Sequence, residues 1–190
     1  MTLPAGHLPT WAEDMRAALA GERDAEVPCG SCTACCRSSQ FVHIAPDETA
    51  TLSRIPRALL FPAPGRPKGH VVLGYDERGH CPMLVDDRCS IYADRPRTCR
   101  TYDCRVFAAT GVRPEDKPLV AAQAERWQFV GPTERGDAMR AAARWLAEHA
   151  DSLPERVAPR TATQLAVLAV EVHEAFLDGA EPAEPLDAWL

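Results

Sequence analysis

CGSCTACC, at residues 29–36, places four cysteines in eight positions with only Gly30, Ser31, Thr33 and Ala34 between them. A Cys-x-x-Cys turn reverses the chain between two thiols and lets both face one centre, which is metal-ligand geometry. Here two such turns overlap, Cys29 to Cys32 and Cys32 to Cys35, and Cys36 follows at once. Adjacent side chains on an extended segment point to opposite sides. Cys35 and Cys36 are therefore expected to serve different centres, or to divide into a ligand and a bystander.

The remaining thiols are Cys81, Cys89, Cys99 and Cys104, and the chain has none after that. The expected metal ligands are these four together with Cys29, Cys32, Cys35 and Cys36. Eight is twice four, so the count allows two tetrathiolate sites, or one site with spare thiols. On a continuous helix Cys104 would lie about 500° round from Cys99. A shared face for the two needs a break between them.

Compartment decides how the thiols are read. The first residues show no basic start followed by an apolar run, so no secretory leader is expected, and no stretch is long and apolar enough for a membrane span. The chain reads as cytoplasmic, where grouped thiols bind metal or react rather than form a disulfide framework. Cys29-Gly30-Ser31-Cys32 alone would suit a reversible disulfide, but a thioredoxin-like βαβ context is missing.

Cys-x-x-Cys-x-x-Cys opens the bacterial ferredoxin motif, although its Cys-Pro completion is absent, whereas zinc ribbons use two separated knuckles. The spacing favours an iron–sulfur cluster, such as 4Fe-4S, over zinc; thiolates suit both. Residues 29–105 carry eleven Lys and Arg against eight Asp and Glu, net +3, while the rest carries ten against nineteen, net −9. Arginines at 37, 88, 95, 97, 100 and 105 are available to offset a negative metal–thiolate core. His43 and His80 lie in the same region and are read as surface or hydrogen-bonded residues rather than ligands.

With 190 residues, 46% of them hydrophobic, the chain supports one core. A single domain over 1–190 is expected, with a metal-binding module at 27–107 and a helical brace at 114–179. The fold class is α+β. A first helix is expected from Thr10-Trp11-Ala12-Glu13, a capping box, to about Glu22. Short strands are expected at 40–45 and 70–75, the second forming a hairpin with 80–85, with a brief helix at 47–54 and a loop at 55–69 between them. Pro96 opens a helix carrying Cys99. Further helices are expected at 118–129, 133–150 and 161–179, before an irregular tail.

The ordered set Cys29, Cys32, Cys35, Cys36, then Cys81-Pro82-Met83-Leu84, Cys89-Ser90-Ile91-Tyr92, Arg95-Pro96 and Cys99-Arg100 resembles the YkgJ-like cysteine-cluster family. That family is also called the CxxCxxCC domain and is named for zinc or iron chelation. The resemblance runs from Cys29 to Cys104 and implies that these cysteines chelate metal. A flagellin lysine methylase resembles the same pattern within a longer protein, so an accessory role beside a protein-modifying methyltransferase is the alternative to a redox or electron-transfer role.

No phosphate loop, dinucleotide fingerprint, Gly-x-Ser-x-Gly or His-Glu-x-x-His occurs, and no catalytic residue is assigned. Net charge is −6 and the only lysines are Lys68 and Lys117. Nucleic acid is not an expected partner. The expected partner is a metal ion or cluster, with room for a protein partner of unknown kind.

Overall fold

The structure is a computed structural model that describes residues 1–179. In chain order the elements are β1 (Leu3–His7), α1 (Leu8–Leu19), β2 (Val42–Ile44), α2 (Thr49–Arg54), β3 (Leu60–Pro62), β4 (Val71–Leu73), β5 (Leu84–Val85) and β6 (Arg88–Cys89). They continue as α3 (Arg97–Thr101), α4 (Arg105–Thr110), α5 (Pro118–Ala124), β7 (Trp127–Val130), α6 (Glu134–Glu148) and α7 (Ala162–Val172). The fold is α+β, with an N-terminal helix and a C-terminal group of helices. Two compact units divide it: Met1–Ala20 with the described residues from Cys104 on, and Gly21–Asp103.

The first unit is mainly helical. Leu8, Trp11, Ala12, Met15 and Ala18 recur at helical spacing and are the buried stripe of α1. Helix α1 begins earlier than the capping box suggests: Pro9 stands in its first turn, a place where the missing N–H costs nothing. Ala138, Met139, Ala142, Ala143 and Leu146 are the matching stripe of α6. Ala142, Ala143 and Leu146 meet Leu168, Ala169, Val172 and Phe176 in one apolar cluster. Thr161 caps α7 as its sequence indicates, accepting the Gln164 N–H at 3.1 Å. The expected tail at 180–190 lies outside the described residues.

The sequence reading missed the strand pair of this unit. Helix α5 stops at Ala124, and Trp127–Val130, read as the end of that helix, is a strand. It pairs in parallel with Leu3–His7, through Leu3 with Trp127 and His7 with Val130. Trp127 and Phe129 are strand-favouring aromatics, and Phe129 packs on Trp11 with ring centroids 4.9 Å apart.

The second unit holds a three-stranded antiparallel sheet in the order β2-β4-β3. Ile44, Leu73, Ile55, Met83 and Ile91 form its core, with Val42, Leu60 and Val71 packed against them. The expected hairpin between 70–75 and 80–85 does not form. β4 pairs instead with β2 on one side and β3 on the other, and β5 pairs with β6. The loop expected at 55–69 contains β3. Asp86 and Asp87, both with positive φ, make the two-residue β5–β6 turn in the sense that matches strand twist.

Leu146 is fully buried in the helical unit. Leu146→Ala is expected to lower stability by about 2–5 kcal/mol in urea unfolding. A loss below about 1 kcal/mol would mean that the site collapses around the missing methyls.

Candidate metal centre

Every cysteine but Cys104 belongs to the second unit. In the 29–36 turn, Gly30 takes φ +57°, a left-handed conformation that costs a glycine little. The reversal is closed by the Cys32 N–H on the Cys29 carbonyl at 3.0 Å. Cys35, Cys36 and Arg37 then form a single 3-10 turn. Successive side chains in such a turn lie about 120° apart rather than 180°. The extended-chain premise for Cys35 and Cys36 therefore does not hold.

Two backbone contacts bring the next cysteine to the turn. The Cys81 N–H donates to the Cys36 carbonyl at 2.7 Å, and the Ser39 N–H to the Gly79 carbonyl at 2.9 Å. Gly79 has φ +77°, and a Cβ there would stand 2.2 Å from the Ser39 hydroxyl, so only glycine fits without movement. Asp76 sets the preceding turn, accepting the Arg78 and His80 N–H groups at 2.9 and 2.8 Å. These bonds, with the His80 N–H foremost, hold its carboxyl below the usual range.

Cys89 enters on β6, opposite Leu84, whose N–H donates to the Cys81 carbonyl at 2.9 Å. Both Cys81 and Cys89 pack against the apolar core of the unit. Cys99 enters on α3. That helix is fixed by the Arg97 N–H on the Glu48 carboxylate at 2.5 Å and by the Thr98 hydroxyl on the His43 carbonyl at 2.7 Å. Glu48 also accepts the Ala45 N–H at 2.9 Å, so one buried carboxylate ties β2 to α3.

The thiols report their own proximity. Burial pushes Cys36 up to about 11, and Cys81, Cys89 and Cys32 add to it while Arg37 opposes. Burial pushes Cys99 up to about 12, with Cys36, Cys81 and Cys89 adding and Arg95 opposing. Cys81 is raised by burial and by Cys89, against the Met83 and Leu84 N–H groups that hydrogen-bond it. All six pairings among Cys36, Cys81, Cys89 and Cys99 are thus close enough to couple. Cys99 is an exposed residue whose thiol is nevertheless strongly desolvated, as at a concave spot that solvent reaches and protein surrounds.

Cys32 adjoins this quartet through Cys36. Cys29 is exposed, and Cys32 and Cys35 are half-buried. Cys104 lies in the helical unit, buried, its sulfur accepting the Trp127 indole N–H at 3.2 Å. Among the described residues no three His, Cys, Asp or Glu side chains are drawn tightly enough to grip an ion as they stand. The donor chemistry still fits: soft thiols, backbone N–H groups aimed at sulfur, and two guanidinium groups beside them suit zinc or iron.

Sequence reasoning did not find several supports. Arg37 donates to Thr33 at 3.1 Å, pairs with Asp87 and stands 3.5 Å from His80, which fastens the cysteine turn to the β5–β6 hairpin. Its position directly after Cys36 was the available signal. His80 is placed here beside Arg37, and His43 pairs with His70 across 2.9 Å.

Thiols from separate segments that lie near enough to influence one another make this a cysteine-rich module whose donors suit a metal. Residues 28–118 match the family model CxxCxxCC, described as a "Putative zinc- or iron-chelating domain". No curated protein and no solved structure matches the chain. Among the described residues no helix is long and apolar enough to cross a membrane.

Thiols raised to about 11 and 12 are protonated at neutral pH, so thiolate binding must displace protons. Zinc added to metal-free protein at pH 7 is expected to release about two protons or more per ion, one each from Cys36 and Cys99. Apparent affinity should fall as pH drops. The sign reverses for the metal-free fold, which should lose stability as pH rises above about 8.5, where unfolded thiols ionise first. Pre-titrated, weakly buffered calorimetry checks the release, and pH-independent binding would contradict it.

Proposed function

We propose that Cys36, Cys81, Cys89 and Cys99 form the ligand quartet of a thiolate-bound centre, with an iron–sulfur cluster favoured over zinc and a redox or electron-transfer role. The observation that carries this reading is that in each of the six thiol pairs, drawn from four separate segments, one member lies near enough to raise the other. Four thiolates are the usual complement for either group. The overlapping Cys-x-x-Cys spacing favours iron–sulfur. N–H groups on the Cys81 sulfur and arginines beside Cys36 and Cys99 are the neighbours that stabilise a negative cluster.

Cys29, Cys32 and Cys35 stand outside the quartet and are the candidates for a second ion. When bound, the group supplies positive charge and, if it is a cluster, an exchangeable electron. The chain supplies the rest. Arg37 orients the cysteine turn, the Cys36–Cys81 backbone bond sets the spacing of two ligands, and Glu48 holds the helix that carries Cys99.

Anaerobic purification followed by iron, zinc and acid-labile sulfide analysis tests the reading. Iron and sulfide in equal amounts, with bleachable visible absorption, are expected. Stoichiometric zinc without sulfide would replace the cluster with a zinc site, and a well-folded protein with neither would overturn the proposal. Cys36→Ser should lose metal and cooperative unfolding together, because binding energy in such sites is folding energy.

A further inference from the structure

The helical unit contains a cavity of about 370 Å³ that the metal chemistry does not use. Its walls come from the start of α1, from α4, from β7 and the turn after it, and from α6. Leu8, Trp127, Phe129 and Pro132 supply apolar surface, and Arg140 is the one charged residue in the lining. Small-molecule sites of this size are mostly apolar with a few placed polar groups.

Arg140 is seated with care. A Cβ on Gly136 would stand 3.3 and 3.4 Å from the two terminal guanidinium nitrogens and 3.1 Å from Leu8 Cδ2. Glycine is disfavoured within a helix, yet here, in α6, its bare backbone is what leaves room for the guanidinium against Leu8. The stem of Arg140 lies along Gly111, where a Cβ would stand 3.5 Å from Cγ. Asp137 accepts from Nη2 at 2.8 Å and fixes the group. That bond uses one of the five N–H donors of an arginine and leaves the others available.

We propose that this cavity binds a small monocarboxylate, with its carboxylate on Arg140 and a short apolar body against Trp127 and Phe129. The class follows from the lining. The guanidinium is the one charged group in a lining that is part apolar and part polar, and it meets a planar carboxylate through two parallel hydrogen bonds. Asp137 already offsets the guanidinium charge, so a ligand carboxylate is held by the remaining N–H donors rather than by net charge, and ligands with more than one negative charge are disfavoured. The proposal involves none of the cysteines in the quartet and stands or falls apart from the metal reading.

Hexanoate, hexanol and hexylammonium are the probes, titrated into the whole chain as purified and followed by amide NMR. Hexanoate is expected to shift the amides of residues 127–136 saturably, and to bind about tenfold or more tighter than hexanol, a gap of about 1.4 kcal/mol. Hexylammonium should not bind. Arg140→Met should abolish the preference for the acid, and Arg140→Lys should keep part of it; a thermal melt confirms that each variant is folded. Equal binding of acid and alcohol, or no shift in those amides at millimolar hexanoate, would overturn the proposal, and both readings come from the wild-type protein even if a variant fails to fold.

Discussion

Four sulfurs crowded beside an apolar core create an electrostatic problem with one economical solution. As thiols they tolerate one another, because burial and mutual repulsion keep Cys36 and Cys99 protonated far above neutral pH. As thiolates they need a cation among them. Arg37 and Arg95 oppose the shift without cancelling it. The second unit has strands of two or three residues and a small apolar cluster, so little else in it could hold so many loops in register. On the proposed reading, a metal centre would make this cluster of thiols the cross-link of the unit.

The supports around the sulfurs are backbone contacts more than side-chain packing. Cys36 and Cys81 are joined through their peptide groups, Cys81 and Cys89 through a hairpin, and Cys99 through a helix tied by Glu48 and Thr98 to β2. Gly79 and the Asp76 turn make the first of these joins geometrically available. Thiol position is therefore set by turns whose conformation depends on a few residues. A metal site built this way would need no large core.

Much of this was legible from the sequence, unevenly. The cysteine turn, the α+β class, the helix on Pro96 and the cap at Thr161 follow from local spacing. The premise of an extended chain at Cys35 and Cys36 does not hold, because a 3-10 turn forms there. Strand partners were also misjudged: β4 looked ready to pair with the segment just after it, yet pairs with β2 and β3. The β1–β7 pair joins residues more than a hundred positions apart, and three strand-favouring residues, Trp127, Phe129 and Val130, after an alanine-rich helix give no local sign of a distant partner. Glu48 illustrates the same limit, since a buried carboxylate bridging two elements looks in sequence like any acid before a helix.

The central claim is that sulfur alone surrounds the metal, as thiolate from Cys36, Cys81, Cys89 and Cys99 and, in a cluster, as bridging sulfide as well. X-ray absorption at the edge of the metal found in anaerobically prepared protein reads that shell directly. The account predicts four sulfur neighbours per metal at about 2.3 Å, as in thiolate zinc and iron–sulfur sites, and no nitrogen or oxygen in the shell. A shell containing imidazole nitrogen or carboxylate oxygen would contradict it.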